Sequence, residues 1–336
     1  MTGDPTLSRT SEYWDIHAGQ GDENRAEWFA HSAVAEHLLQ VRDGKPLERW
    51  FIDQYAAGRP LARALSIGCG VGLFELGLIR LGAIEHYDLY DVSPVALETA
   101  LASARAFGVE DRIAIHQADI NHVSLQHVSL QKEDYDLVTF ISSLHHVADL
   151  EQVLRRVLTA LKPDGLIFAG EYTGPDRFAY PKPDAAYAKR LYRALDPALK
   201  CPWPELPQPV PEDVIAADPT ESIHSSEIIA TVQRVFGNIE LTPYGYTLTF
   251  ILWWGLNHDA LYETEQGREF VTTLLDLDRG PVISGALPNY FHYALGSKTA
   301  HEAGGYGAVD PLETVTNALA DAVDVPATEN TRSPVC

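Results

Sequence analysis

The chain has 336 residues, and its 25 Lys and Arg residues against 47 Asp and Glu residues give a formal net charge of −22. A hydrophobic content of 46% indicates a folded globular protein and excludes a disordered chain. Nucleic acids and anionic membrane surfaces are disfavoured as partners, because binding to them depends on a basic face that neutralises phosphates.

Residues 1–60 are predicted to form a helical N-terminal cap on the rest of the chain. Residues 1–11 are expected to be a loose tail, and in residues 11–55 aromatic side chains alternate with Asp, Glu and His, as in helices that pack on one side. The N-terminus lacks the apolar core of a signal peptide, and the longest apolar run, residues 248–256, is too short to cross a bilayer. With only three scattered cysteines, these features predict a soluble, cytoplasmic protein.

Strand and helix signals alternate over residues 61–172 and predict a doubly wound, mostly parallel sheet. Apolar runs predict strands at residues 62–67, 85–90, 112–116, 135–142 and 166–172. Intervening helices are predicted at residues 73–81, 93–107 and 150–161. The Lys-Pro-Asp-Gly sequence at residues 162–165 is predicted to be a turn, and the tandem HVSLQHVSLQ at residues 122–131 is interpreted as a lengthened surface loop.

Residues 173–224 break this alternation and are predicted to form a lid insertion over the strand ends. They contain a predicted helix at residues 184–195, followed by a proline-rich stretch that cannot be core sheet. Beyond them, helices are predicted at residues 225–236, 247–257 and 264–278, and strands at residues 238–243 and 288–296. The sheet domain therefore spans residues 61–298, and residues 299–336 are predicted to be a flexible tail.

A glycine-rich turn follows the first predicted strand and opens the next helix. In the segment LSIGCGVG, Gly68, Gly70 and Gly72 leave room for a ligand to approach the backbone, and the N–H groups of the helix start point at it. A dinucleotide fingerprint would need its third glycine at position 73, which is leucine, so a nicotinamide-dependent dehydrogenase is disfavoured. Asp91 ends the second strand, where a carboxylate can accept both hydroxyl groups of a ribose, and Asp119 ends the third, where an acid can meet an adenine amino group.

The motifs LSIGCGVG, YDVSP, QADIN, YDLVTFISSLHHV and LKPDG, in this order, resemble those of the class I S-adenosylmethionine-dependent methyltransferases. The resemblance is closest to the small-molecule enzymes of the type 11/12/25 kind and covers about residues 62–172. The helix and strand pairs at residues 225–298 fit the rest of that family's Rossmann-like sheet of seven strands, the last of them antiparallel. The resemblance implies S-adenosyl-L-methionine as the cofactor and methyl transfer to an oxygen, nitrogen or carbon atom of a small molecule.

The resemblance also implies which residues hold the cofactor. The methionine part would lie against Gly68, Cys69, Gly70 and Gly72, with Tyr13 closing over it and Ser142 near the sulfonium. The nucleoside part would lie against Asp91, Val92, Asp119 and Ile120. Ser66 departs from the family pattern, since the family usually has an acid two residues before the first motif glycine. Two alternatives follow: cofactor binding is weaker than in the family, or Glu75 or another acid substitutes for the missing one.

Candidate general bases lie after the fourth and fifth strands. His145 and His146 follow the fourth strand, and Glu171 lies near the end of the fifth. The structural alternatives are that an imidazole caps a helix or packs beneath the cofactor, and that Glu171 pairs with Arg177. No metal site is predicted, because the spacing of His258, Asp259 and His292 matches no template.

The leading hypothesis is methyl transfer to a small molecule, neutral or cationic unless the basic residues of the insertion bind an anionic group. The alternative is a protein that binds S-adenosylmethionine without transferring its methyl group, as a regulatory subunit or the scaffold of another reaction. The aromatic residues at positions 244–254 are expected to be core or a homodimer surface.

Overall fold

The computed structural model describes residues 5–20, 28–56, 61–121, 133–245, 247–283 and 285–299. Two predictions therefore fall outside the described residues, namely the loop at residues 122–131 and all but the first residue of the tail at residues 299–336.

A seven-stranded sheet forms the centre of the protein and confirms the predicted fold class. Its strands are β1 (Leu61–Ile67), β2 (Ile84–Asp91), β3 (Ile113–Gln117), β4 (Tyr135–Ile141), β5 (Leu161–Tyr172), β6 (Ile239–Gly245) and β7 (Phe291–Ser297). They lie in the order β3-β2-β1-β4-β5-β7-β6. The first five are parallel, and β7 is antiparallel to both of its neighbours.

Helices flank the sheet and precede it. Before the sheet come α1 (Pro5–Gln20), α2 (Ser32–Val41) and α3 (Leu47–Tyr55), and between the parallel strands come α4 (Leu73–Arg80), α5 (Pro94–Ala106) and α6 (Leu150–Ala160). The insertion contributes α7 (Lys182–Ala194) and α8 (Pro211–Ala217), and α9 (Ile228–Phe236) precedes β6. Between β6 and β7 lie α10 (Thr247–Trp253), α11 (His258–Glu263) and α12 (Glu265–Ile283).

Two predictions of local structure were wrong. Residues 5–10 are not a tail but the start of α1. Residues 162–165 are not a turn that precedes the strand but a bulge within β5. Leu161 pairs with Tyr135, and Leu166, five residues later, pairs with Leu137, only two residues along β4. The Lys-Pro-Asp-Gly signal is therefore accommodated as an irregularity inside a strand.

Apolar side chains cover both faces of the sheet. On one face, Phe51 of α3 packs against Phe168 of β5, with ring centroids 4.9 Å apart. On the other face, α6 packs on β5 and α9 packs on β7, and these helices bury Val153 and Val232. Each large side chain buried in this way stabilises the fold by about 1.5 to 3 kcal/mol. None of the described helices is both apolar enough and long enough to cross a membrane.

The topology brings several loops together at one edge of the sheet. From β1 the chain continues to β2 and β3 on one side, and β4 and β5 lie on the other side of β1. The loops after the neighbouring strands β1 and β4 therefore lead in opposite directions and leave a crevice between them. The loops after β2 and β3 border the same crevice, because all these strands are parallel. Ligand sites of open α/β sheets lie at such a point.

Candidate active site

The glycine loop after β1 forms one wall of the crevice. Gly68, Gly70 and Gly72 all have positive φ angles, between 54° and 70°, a region that residues with a side chain rarely adopt. A Cβ atom on Gly68 would lie 2.4 Å from Cβ of Ser143, so only glycine allows the loops after β1 and β4 to approach this closely. Gly68 and Gly70 line the cavity, whereas Gly72 begins α4 behind it.

Asp91 joins the end of β2 to the glycine loop. Its Oδ2 atom accepts a hydrogen bond of 2.7 Å from the Gly70 N–H, and its Oδ1 atom accepts one of 2.8 Å from the Ser93 N–H. Burial raises the pKa of Asp91 above its usual value, and these N–H groups oppose that rise. The carboxylate lines the cavity, and each oxygen has a second lone pair with which to accept a hydroxyl group.

The loop after β3 forms the next part of the wall. Asp119 and Ile120 both line the cavity, and Oδ1 of Asp119 accepts a hydrogen bond of 2.7 Å from the Asn121 N–H. The Asn121 side chain donates in turn to the carbonyl oxygen of His146, over 2.8 Å. The loops after β3 and β4 are thereby held in one arrangement.

These loops enclose a cavity of about 460 Å³, a volume in the range of small-molecule sites. Most lining side chains are apolar, such as Ile67, Val92 and Ile141. The carboxylates are those of Asp91 and Asp119, and none of the described lining residues is Lys or Arg. Such a cavity favours a ligand that carries positive charge.

Helix α1 lies over the cavity, with a different residue turned inward from the one predicted. Thr10, Trp14 and Ala18 line the cavity, and their spacing of four residues places them on one face of the helix. Tyr13 is not among the lining residues; it contacts Trp14 edge to face, with centroids 5.3 Å apart. One residue along a helix turns the side chain by about 100°, so Trp14 faces the cavity and Tyr13 does not.

Asp218 of the insertion connects α1 to the cavity edge. This carboxylate is 1% exposed and accepts hydrogen bonds from the hydroxyl groups of Thr10 and Thr220 and from the indole N–H of Trp14, over 2.8 to 3.1 Å. It also accepts a bond from the Thr220 backbone N–H. Arg9 adds a hydrogen bond to the carbonyl oxygen of Ala216. A single buried anion thus joins two segments that are far apart in the sequence.

Glu171 lies behind the loop after β4 and not in the cavity. Its Oε1 atom accepts hydrogen bonds from the N–H groups of Ser143 and Leu144, over 2.9 and 2.7 Å, and its Oε2 atom lies 2.7 Å from Nδ1 of His145. The side chain is 1% exposed, and neither it nor His145 lines the cavity. The ion pair with Arg177 considered above is also absent among the described residues, since Arg177 donates to carbonyl oxygens of the insertion.

His146 is the predicted catalytic residue whose side chain reaches the cavity. Its Nδ1 atom lies 3.1 Å from Oγ1 of Thr220. Burial, and then the neighbouring His145, lower the pKa of His146. Burial also lowers the pKa of His145, but the hydrogen bond and charge of Glu171 outweigh it, so that pKa is raised. Ser142, which was predicted to lie near the sulfonium, lines the cavity and has a left-handed φ of 53°.

Ser66 and Glu75 form a buried pair beneath the glycine loop. The Ser66 hydroxyl donates to Oε1 of Glu75 over 2.6 Å, and both residues are buried outside the cavity lining. Burial raises the pKa of Glu75 to about 7. The chain thus places the carboxyl group of Glu75 beside the serine that stands where the family has an acid.

Sequence reasoning missed lining residues of two kinds. Those within the motifs or just after one are Ile67, Val71, Tyr90, Ala96, Ala118, Asn121, Ile141 and Ser143. Those on segments remote from the motifs are Thr10, Trp14, Ala18 and Thr220. The four-residue spacing in α1 is a signal that could have identified the first three. His258, Asp259 and His292 form no group of potential metal ligands within the described part of the chain.

Comparison with known proteins places the glycine loop and its neighbours in a domain family. A family model described as a methyltransferase domain matches residues 65–167. A ubiquinone biosynthesis O-methyltransferase of Shewanella sp. (strain ANA-3) is 32% identical over 132 residues, which are 39% of this chain and 50% of that protein. The enzyme of the same name from Aeromonas salmonicida (strain A449) is 33% identical over 143 residues, or 43% of this chain and 56% of that protein.

The chain spans between about half and two thirds of the length of the curated relatives it matches. Among solved structures, geranyl diphosphate C-methyltransferase from Streptomyces coelicolor A3(2), in complex with Mg²⁺, geranyl diphosphate and S-adenosyl-L-homocysteine, is 13% identical with a TM-score of 0.49. That similarity covers 88% of this chain and 98% of the other.

Proposed function

We propose that this chain is a class I S-adenosylmethionine-dependent methyltransferase, which binds S-adenosylmethionine in the cavity and transfers its methyl group to a small molecule. The observation that carries the proposal is the buried carboxylate of Asp91, held against the glycine loop at the cavity wall. It presents acceptors for a ribose, while Gly68 and Gly70 leave the backbone open to the methionine part.

The charge of the cavity supports a neutral or cationic acceptor. A sulfonium cofactor and a cationic or neutral acceptor are compatible with Asp91 and Asp119, whereas an anionic acceptor would need a cation from the protein. The basic residues of the insertion do not line the cavity; they are Arg177, Lys182, Lys189, Arg190 and Arg193. The name of the curated relatives makes an oxygen atom the first acceptor to test.

The acceptor side of the reaction is assigned to His146. We propose that His146 faces the acceptor next to the sulfonium, since His146 and Ser142 both line the cavity. Glu171 and His145 are then positioning residues, because they hold the loop that carries His146 and do not reach the cavity. Methyl transfer itself needs mainly alignment and the exclusion of water.

Helix α1 and the insertion act in this proposal as a cap and a lid. Trp14 and Thr220 line the cavity from these two segments, and Asp218 connects them. They would exclude water from the sulfonium when the cofactor is bound. A cytoplasmic location is proposed as well, supported by the few and scattered cysteines.

Calorimetry followed by a transfer assay tests the proposal. The full chain is titrated with S-adenosylmethionine, S-adenosylhomocysteine and NADH, and methyl-labelled S-adenosylmethionine is then supplied with hydroxylated acceptors and fractionated metabolites. Binding of the first two ligands and labelling of a small molecule are expected. Binding without labelling of any fraction would favour the alternative of a non-transferring protein, and NADH binding alone would refute both.

A further inference from the structure

Three potential metal ligands meet where the insertion crosses the loop after β4. His145, His146 and Glu221 each offer one ligand atom, and these atoms all lie within 4.8 Å of one another. Nε2 of His145 is 3.7 Å from Oε1 of Glu221, and Nε2 of His146 is 3.9 Å from Oε2. Ligands of a tetrahedral zinc ion at its usual bond lengths are roughly 3.3 to 3.4 Å apart, so small side-chain movements bring these atoms to bonding distance.

Hydrogen bonds on the opposite side of each ring orient the two imidazoles. Nδ1 of His145 is held by the carboxylate of Glu171 at 2.7 Å, and Nδ1 of His146 lies 3.1 Å from the hydroxyl oxygen of Thr220. Protein ligands of metals are typically oriented in this way, with one ring nitrogen anchored and the other directed at the ion. Both rings thus have their Nε2 atoms directed toward Glu221.

The hydrogen-bond network assigns the tautomer of His146. The Thr220 hydroxyl donates its proton to Asp218, so its oxygen can only accept a bond from the Nδ1–H of His146. The Nε2 atom therefore carries a lone pair. It is buried, and no hydrogen-bond partner for it occurs in the described part of the chain. A buried acceptor without a partner is costly unless something occupies that position.

Negative charge is in excess around these rings. Glu171 and Asp218 are 1% exposed, and the side chain of Glu221 is 17% exposed. None of these three carboxylates forms an ion pair with a Lys or Arg residue that the structure describes. Arg177 approaches, but it donates to backbone carbonyl oxygens. Even with His145 protonated, carboxylates would exceed cations, which a bound cation would correct.

We propose that His145, His146 and Glu221 bind a divalent transition-metal ion of the zinc type. Two imidazole nitrogens and a carboxylate suit such an ion, whereas magnesium and calcium prefer oxygen ligands alone. Three protein ligands leave a further position for water or a substrate. The ion would fasten the insertion to the loop after β4, at the wall that His146 shares with the cavity. The site shares His146 with the proposed acceptor side but none of the residues proposed to hold the cofactor, so metal binding and cofactor binding are tested separately.

A second group of potential ligands provides the matched control. Asp176, His224 and Glu227 also come together, but the side chains of His224 and Glu227 are 38% and 63% exposed. Water competes freely for such groups, and no carboxylate anchors the far side of His224 among the described contacts. Glu221→Gln and Glu227→Gln are therefore the same chemical change at a built site and at an exposed one.

Cobalt absorption provides the test on the full chain. After treatment with EDTA, the protein is titrated with Co²⁺, which absorbs in the visible range when bound by nitrogen and oxygen in a low-coordinate site. We expect an absorption that saturates at about one Co²⁺ per chain and is abolished by equimolar Zn²⁺ but not by Mg²⁺. The wild-type protein alone decides whether the site exists. If it shows no visible absorption when Co²⁺ is added, the proposal is overturned, whatever the variants do.

The variants locate the ion. Glu221→Gln and His146→Asn should lose the absorption, Glu171→Gln should weaken Co²⁺ binding by roughly 10- to 100-fold, and Glu227→Gln should bind as the wild type does. Circular dichroism identifies any variant that has not folded. The Co²⁺ absorption of the folded variants is then compared with that of the wild type. Absorption retained in both Glu221→Gln and His146→Asn, or lost in Glu227→Gln, would overturn the assignment. Titration of S-adenosylmethionine into the metal-free protein tests the proposed function separately.

Discussion

Replacing Asp91 by asparagine should lower the free energy of unfolding and weaken the binding of S-adenosylmethionine. The carboxylate accepts hydrogen bonds from the N–H groups of Gly70 and Ser93. An amide keeps one acceptor oxygen and turns an NH₂ group toward the other N–H, so one charge-assisted bond is lost and a buried donor stays unpaired. Hydrogen bonds to charged groups contribute about 1.5 to 3 kcal/mol, and the free energy of unfolding should fall by that amount.

The affinity for the cofactor should fall as well. The proposed hydrogen bond from a ribose hydroxyl to the carboxylate is also charge-assisted. Its loss would raise the dissociation constant by roughly 10- to 150-fold. Urea unfolding without ligand measures the first effect, and calorimetry with S-adenosylhomocysteine measures the second. Because the two assays are separate, a loosened loop and a lost ligand contact can be told apart.

Asp149→Asn is the matched control for this prediction. Asp149 also accepts a hydrogen bond from a backbone N–H, that of Gln152 at 2.9 Å, but it caps α6 and does not line the cavity. Asparagine caps helices about as well as aspartate, so stability and affinity should both stay close to the wild type. If Asp91→Asn bound S-adenosylhomocysteine within threefold of the wild type, the cofactor role of this carboxylate would be refuted.

Three further predictions concern the surroundings of the cavity. Trp14→Ala should weaken binding of S-adenosylhomocysteine by roughly tenfold or more, from the lost apolar wall, and Tyr13→Ala should do so much less; equal calorimetric losses would contradict the assigned helix face. The pKa of Glu75 is about 7 in the folded chain against an ordinary 4.5, so its contribution to stability is complete below pH 4.5 and is lost as the pH rises through 7, by about 3 kcal/mol. Glu75→Gln should therefore match the wild type in urea unfolding near pH 4 and exceed it above pH 8, and parallel pH profiles would count against this. Glu171→Ala leaves two buried N–H groups unpaired that Glu171→Gln still satisfies, so the alanine variant should unfold more easily by at least about 2 kcal/mol; equal denaturation midpoints would show that the carboxylate does not hold the loop.

The sheet and the glycine loop were predictable because both depend on local sequence. Buried parallel strands give continuous apolar runs, and Gly68, Gly70 and Asp91 stand at strand ends whose position in a parallel sheet is set by topology. Residues 162–165 show the limit of this reasoning: the turn signal is genuine, but pairing on both sides of it keeps β5 a single strand.

The parts of the site that sequence could not identify depend on contacts between distant segments. Thr10 and Asp218 are 208 residues apart, and nothing in the sequence around either residue indicates the other. Glu171 was correctly expected at the end of a strand, but which face its side chain takes depends on the loop after β4, whose N–H groups it binds. Trp14 was within reach of prediction, because residues 10, 14 and 18 share one face of a helix.

The hydrogen bonds of Asp218 have a consequence for the timing of the proposed methyl transfer. Any ligand that leaves past α1 must first separate Thr10 and Trp14 from this anion, while Thr220 keeps its bonds to it. Arrival of the cofactor and departure of the product would then pass through one and the same opening event, and the residence time of the product would set the pace of turnover. Thr10→Val, which removes one of the donors without changing the shape of the side chain, should shorten that residence time in stopped-flow release experiments.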